Sequence, residues 1–238
     1  MDLVKHHCVI IATSLRYSDA MSVTGFERAR SDEAKGQREQ SILDAARRLG
    51  ALRGIREITL TDIANAIGMH KSALLRYFET REQIFLKLTA LEWEQWSPEL
   101  RAALANGEAA APARIAREFA RTLVERPLFC DLLAHTPLNL ERHVSMDSVR
   151  DFKLVTHREV DAIIECLRGL LPRLSVEQAL DVIATATSMA GAQWQMANPG
   201  PEAAALYRSD PRLAHAIVDV EPRLARVLRA LIEGFLAE

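Results

Sequence analysis

Seven side chains stand out in one short stretch: Thr59, His70, Lys71, Ser72, Ala73, Tyr77 and Arg81. Most are hydrogen-bond donors, and none is spaced as a nucleophile with its base. Lys71 can donate to the acceptors of guanine, and Ala73 can meet the methyl of thymine. Thr59, Tyr77 and Arg81 suit phosphate oxygens, which fix position without reading sequence. His70 and Ser72 flank Lys71 on the same short segment. The chemistry on offer is recognition of double-stranded DNA rather than bond making. Lys71 and Arg81 as plain surface charges, and Tyr77 as a packing residue, are the competing reading.

Those residues need two short helices to hold them. Thr59 can cap a helix, with Asp62 three residues on as in a capping box. Ile58 and Ile63 then sit where a hydrophobic staple belongs. Ile63, Ala64 and Ile67 face inward, and Gly68 closes the helix with the left-handed turn glycine tolerates best. A second helix from about His70 to Tyr77 buries Leu74 and Phe78. Two short helices joined by a glycine turn make a helix-turn-helix, whose second helix presents His70, Lys71, Ser72 and Ala73 to the major groove. A helix over about 34–49 precedes them, with Ile42, Ala45, Ala46 and Leu49 on one face.

The stretch from about Gln37 to Leu88 resembles the DNA-binding domain of the TetR family. The resemblance rests on Thr59, Ile63-Ala64, Gly68-Met69, Tyr77-Phe78 and Arg81 in that order and spacing. It departs at Leu75, where the family usually has a tyrosine that touches phosphate. The resemblance implies an all-α protein: a three-helix helix-turn-helix domain at 34–80, then a helical ligand-binding and dimerisation domain at 81–238. It implies a transcriptional regulator, working as a homodimer on a palindromic operator and released by a small-molecule effector. A DNA-binding dimer without an effector, or an activator, is the alternative; a helical enzyme or adaptor is a remoter one.

Composition agrees with this and excludes other classes. Hydrophobic residues are 49% and aromatics 5%, with abundant Ala and Leu, the strongest helix formers. The net charge is −2, but it is unevenly placed. Glu27 to Arg81 carries 11 Lys or Arg against 8 Asp or Glu; from Glu82 onward the balance is 17 against 22. The first part can approach phosphates that the second repels. Cys8, Cys130 and Cys166 have no paired or zinc-like spacing, and Cys130 and Cys166 read as small core hydrophobes in a reducing, cytoplasmic setting. No apolar run approaches the roughly 20 residues that cross a bilayer. No hydrolase, metalloprotease or nucleotide-binding motif appears, so neither an enzyme nor a cofactor is expected. Asp131, His135 and His143 could hold a metal, but a surface ion pair between the first two is the expectation.

Later helices are expected at about 112–125, 127–135, 143–171, 175–197 and 221–237, with Ser97-Pro98 resetting or kinking the one that Thr80 starts. By resemblance, 175–197 and 221–237 form the dimer interface through Leu180, Ile183, Ala184, Thr187, Ala190, Gly191, Leu224, Leu228, Leu231, Ile232 and Phe235; that these faces are simply core is the competing reading. For each of Trp93, Trp96, Phe129, His135, Met146, Phe152, His157, Met189, Gln193, Trp194 and Met196 plain core packing is the leading reading, and as a set they suggest a mostly apolar pocket, suiting a hydrophobic effector. Residues 1–33 read as a disordered extension, with Met21 as the alternative start of the chain. Intact mass checks this: an end well past Met21 would point to a removed export signal instead.

Overall fold

The computed structural model describes residues 33–106 and 111–237, and its regular structure over these is all helical, with no strand. Most of the expected extension, with Cys8 and Met21, lies outside the described residues. Helix α1 spans 33–53 and already includes Glu33. The division into compact units falls inside it, between Asp44 and Ala45. In the first unit the described residues 33–44 are helical, with Gln40 Nε2 donating to Asp44 at 2.9 Å and Ser41 Oγ to the Gln37 carbonyl at 2.9 Å.

The second unit holds everything else. After the end of α1 come a 3-10 turn Ile55–Glu57, α2 Leu60–Ala66, α3 Lys71–Leu74 and α4 Arg81–Ala105. Then follow α5 Pro112–Val124, α6 Pro127–His135, a π turn Thr136–Leu140, α7 Met146–Leu170 and α8 Val176–Ala197. Last come α9 Pro201–Ser209, a 3-10 stretch Pro211–Ala216 and α10 Val220–Ala237. Proline opens α5, α6 and α9, where its missing N–H costs nothing. Ser175 and Gln178 start α8 with the expected reciprocal cap, both bonds 3.0 Å. Helix α9 is not announced by the sequence pattern, because it buries no residue and so has no apolar stripe to reveal it.

Helix α4 corrects one expectation: it runs straight through Ser97-Pro98. Proline inside a helix costs about 3 kcal/mol, from a lost hydrogen bond and a clash with the preceding turn. Burial repays that. Trp96, Leu100 and Leu104 are fully buried on either side of Pro98, and Ser97 Oγ donates to the Glu159 carbonyl of α7 at 3.4 Å. Each large apolar side chain buried contributes about 1.5–3 kcal/mol, so the helix face outweighs the proline.

The centre of the unit is aromatic. Trp96 packs edge-to-face on Trp93 at 5.3 Å and on Phe119 at 6.1 Å, and Phe129 lies 5.7 Å from both tryptophans. Trp96 Nε1 donates to Thr122 Oγ1 at 3.0 Å, which satisfies its only polar atom. Three expected pocket residues, Trp93, Trp96 and Phe129, are thus packed against one another. Cys130 is buried beside them; burial pushes its thiol up to about 12. Cys166 is half-buried.

The expected dimer faces also need correcting. Ile183, Thr187, Ala190 and Gly191 of α8 are buried within this chain, as are Leu224, Leu228 and Ile232 of α10. Helix α10 packs on α5 and α8, and α8 packs on α6. Helical spacing alone does not tell an internal apolar face from an external one. What stays outward is Leu180 and Ala184, with Leu231 and Phe235 half-buried.

Gly191 explains how closely α8 approaches α6. A Cβ there would stand 2.8 Å from the Ala134 amide nitrogen and 3.1 Å from its Cα, backbone that cannot step aside. Gly191→Ala is expected to lose about 1–3 kcal/mol to overpacking. Gly234→Ala, on α10 with nothing within 4 Å, is expected to gain about 0.5–1 kcal/mol. Chemical denaturation of the two variants checks both signs; a Gly191→Ala protein as stable as the wild type would overturn this account of the crossing.

Candidate nucleic-acid interface

The helix-turn-helix forms because its short helices are capped and plugged. Thr59 Oγ1 accepts from the Asp62 amide at 3.1 Å. Asp62 Oδ2 in turn accepts from the Thr59 amide at 2.8 Å and from its hydroxyl at 2.6 Å. These Thr59 hydrogen bonds hold the Asp62 carboxyl below the usual carboxylate range. The expected capping box is therefore in place, and both residues of the expected staple, Ile58 and Ile63, are buried. Gly68 has φ +66°, the left-handed conformation that ends α2. The Met69 amide then donates to the Ala64 carbonyl at 2.9 Å.

Helix α3 is a single turn, shorter than the expected His70–Tyr77. Beyond Leu74 the chain continues in tight turns, with the Tyr77 and Phe78 amides donating to the Leu74 carbonyl at 2.9 and 3.2 Å. Leu74 and Phe78 point into the core; His70, Lys71, Ser72, Leu75 and Arg76 are exposed, and Ala73 and Tyr77 half-buried. Thr59 is exposed as well. His70 begins α3 in extended backbone without capping it, so its imidazole is uncommitted there. Helix α3 and the turns after it therefore expose two cations, Lys71 and Arg76, that make no ion pair among the described residues. Sequence reasoning missed Arg76. Its signal was a second positive charge five residues after Lys71 and just before Tyr77.

Arg81 lands elsewhere than expected. Its Nε donates to the Ile58 carbonyl and one terminal nitrogen to the Ile55 carbonyl, while the other meets Glu82 at 2.9 Å. Its guanidinium lies 4.9 Å from the centre of the Phe85 ring. As the first residue of α4 it points back over the preceding backbone, as helical side chains do. It braces the turn before α2 instead of reaching outward to phosphate.

The same turn is held from its other side. Gly54 takes φ +79°, a conformation open essentially to glycine. The next amide, that of Ile55, donates to the buried Asp131 carboxylate of α6 at 2.8 Å. Asp131 also accepts from Gln195 of α8 at 2.7 Å and lies 3.3 Å from His135. The expected Asp131–His135 pair is present but buried rather than on the surface. Among the described residues no cluster of three or more ligating side chains could hold a metal ion.

A family profile described as bacterial regulatory proteins of the tetR family matches residues 42–88. A second, described as the tetracyclin repressor-like C-terminal domain, matches residues 90–238, more than half of the chain. The chain belongs to the TetR family. It is a DNA-binding transcriptional regulator with a helix-turn-helix. Solved structures share the fold of this TetR-family chain. A possible TetR family transcriptional regulator from Streptomyces coelicolor is 17% identical, with 84% of this chain and 98% of that one covered and a TM-score of 0.54. Thermus thermophilus FadR, a TetR-family transcriptional repressor in complex with lauroyl-CoA, is 20% identical over 83% and 93%, at 0.52. Bacillus subtilis FadR in complex with stearoyl-CoA is 14% identical over 80% and 97%, at 0.50. No curated protein sequence matches significantly.

The other expected pocket residues of this TetR-family protein differ in exposure. Phe152 is buried on α7. His157 is exposed and paired with Asp161 at 2.8 Å, so it faces solvent. Met146 and Met196 are exposed too. Met189 and Trp194 are half-buried, and Gln193 is buried with its Oε1 lacking a partner among the described residues. A cleft of about 540 Å³ opens instead beside Gly54, Pro127, Asp131, Trp194 and Asn198. A smaller one lies against Arg56, Arg81, His135 and His143.

Thr59→Ala removes the hydroxyl half of the reciprocal cap, leaving the Asp62 carboxylate on the residue-59 amide, and is expected to cost about 1 kcal/mol. Thr59→Ser keeps the hydroxyl and is expected to stay within a few tenths of that of the wild type. Urea denaturation of the pair checks this; equal losses in both would place the role in the Thr59 methyl.

Proposed function

We propose that the chain is a cytoplasmic one-component repressor that binds a palindromic operator as a homodimer and releases it when a hydrophobic effector binds. The observation that carries the DNA half is the exposed face His70–Ser72 with Arg76, set opposite buried Leu74 and Phe78. A side chain on that face reaches a groove without disturbing the core. Lys71 reads base edges, and Ala73 packs near them. Thr59, Tyr77 and Arg76 hold phosphates, Arg76 taking the place first expected of Arg81. Leu75 leaves one phosphate contact of the family unfilled. Two such heads are needed to read the two halves of a palindrome, one helical turn apart. The outward residues of α8 and α10, Leu180, Ala184, Leu231 and Phe235, are the surface for that pairing.

The effector half rests on less. Gln193 offers a buried, unspent acceptor beside Trp194, and two neighbours of the same fold were solved with long-chain acyl-CoA molecules. The packed tryptophan–phenylalanine cluster favours a second reading, a DNA-binding dimer with no effector. A thermal melt in lauroyl-CoA separates the two. A true ligand at about 100 times its Kd adds about 2.7 kcal/mol, a rise of several degrees for a chain of this size. No shift with lauroyl-CoA or with a panel of apolar compounds would favour the second reading.

For DNA, a duplex selected by the wild type from a random pool serves as probe, titrated by fluorescence anisotropy at several salt concentrations. Lys71→Ala is expected to weaken binding by about 1–3 kcal/mol and relax sequence preference. Arg76→Ala is expected to weaken all sequences alike and lower the salt slope by about one. Unchanged affinity in both would remove this face from the interface.

A further inference from the structure

Asp131 is the buried charge that the DNA-binding face does not account for. The residue is 8% exposed and sits on α6, and its carboxylate meets the Ile55 turn, α8 and its own helix. One oxygen accepts the Ile55 amide at 2.8 Å, three residues before the buried Ile58 that leads into α2. The other accepts Gln195 Nε2 of α8 at 2.7 Å. His135, one turn along α6, stands 3.3 Å away, and its Nδ1 also lies 2.9 Å from the Asp131 carbonyl. A buried carboxylate is costly unless its lone pairs are filled. Here three donors fill them, so each donor is held as firmly as the charge is buried.

The donor that matters is a backbone one. Gly54, in a conformation denied to other residues, aims the Ile55 amide at Asp131, while Arg81 takes the Ile55 carbonyl from the α4 side. The peptide units just before the helix-turn-helix are thus fixed by two charged side chains from two helices of the C-terminal part.

We propose that Asp131 is a positioning residue for DNA recognition: it sets the pose of the helix-turn-helix on α6 and, through Gln195, ties that pose to α8. Displacing the end of α8 draws Gln195 off the carboxylate and loosens the head. The cleft beside Gly54, Asp131 and Trp194 opens onto this tether. The proposal rests on the DNA-binding reading above.

The tether has a sign in pH. Burial pushes the Asp131 carboxyl up, but the hydrogen bonds from His135, Ile55 and Gln195 outweigh it and hold the group below the usual carboxylate range. The hydrogen bond to Asp131 raises His135 above the ordinary imidazole value. The other charged groups facing the pair are Arg53, Arg56 and Glu57 beside the turn, Arg81 and Glu82 on α4, and His143 after the π turn; α8 contributes only uncharged Trp194, Gln195 and Asn198. A raised histidine contributes fully below its unfolded value and is lost as pH rises through the folded one. A depressed aspartate contributes above its unfolded value and is lost as pH falls through the folded one. The tether is therefore strongest in mildly acidic solution and weakens above neutrality.

The test uses the full chain, the selected duplex, and hydrogen exchange read on peptides spanning residues 50–60. Asp131→Ala is expected to lower DNA affinity about tenfold or more and to speed exchange at Ile55. Asp131→Asn can still accept the Ile55 amide, with the Gln195 amide turned over, so it is expected to keep affinity within about threefold and to lose the pH dependence of the protection at Ile55 relative to the unfolded chain. Gln195→Ala leaves the other two donors in place and is expected to fall between them. If Asp131→Ala does not fold, Gln195→Ala and Asp131→Asn decide the matter alone. Wild-type exchange at Ile55 in all three variants overturns the proposal. So does faster exchange with unchanged DNA affinity, which would leave Asp131 merely structural. Failure of the wild type to select any duplex would overturn the DNA-binding reading instead, while the exchange data would still report on the tether.

Discussion

Helices of seven and four residues cannot hold themselves in water. Forming the first turn of a helix fixes several residues for one hydrogen bond, and isolated helices below about 12 residues are marginal. Helices α2 and α3 are both under that length, and they form the helix-turn-helix. Their stability has to be borrowed. Thr59 and Asp62 supply it at the start of α2, and Gly68 ends that helix without strain. Ile63, Ala64, Leu74 and Phe78 supply it by burial. Asp131 and Arg81 supply it from outside, by holding the Ile55 peptide from two sides. The recognition face is free to be polar because other residues do the holding.

That dependence shapes the rest of the second unit. A turn fixed by α4 and α6 requires those helices to be rigid. Helix α4 is one helix of 25 residues despite Pro98, because the tryptophan–phenylalanine cluster and α7 bury it along its length. Helix α6 is clamped at both ends of its core face. Arg126 at its start donates to Glu92 at 3.0 Å and to Glu99 at 2.7 Å, and Gly191 lets α8 lie directly on its backbone near Ala134. The same close packing fills the central space with ring edges, while open volume lies at the margin beside Gly54 and Trp194. Motion at α6 or α8 and motion at the helix-turn-helix are therefore hard to separate physically.

Charge follows a similar division. The excess of basic residues before Arg81 gives the recognition end a field that attracts phosphate, and the acidic excess after Glu82 keeps the remainder away from it. Along the whole chain the individual cations differ in freedom. Arg81, Arg126 and Arg158 are committed to carbonyls or carboxylates, whereas Lys71 and Arg76 point outward.

Local chemistry was enough to read the helix-turn-helix. The Thr59–Asp62 cap, the Gly68 turn, and the burial of Ile63, Leu74 and Phe78 each depend on neighbours within a few residues, so the sequence by itself determined them. It also determined the all-helical class and the ends of most helices, through caps, prolines and helical spacing. Properties that depend on what stands across from a residue were not legible. Pro98 marks a break locally, and only burial from α5 and α7 overrides it. The apolar stripes of α8 and α10 look the same whether they meet a second copy or their own chain, and tertiary packing spends most of them internally. Arg81 reads as a phosphate contact until the turn at Ile55 is placed beneath it. Asp131 and Ile55 are far apart in sequence, so nothing local announces their bond; only the fold brings a buried carboxylate to an amide just before the helix-turn-helix.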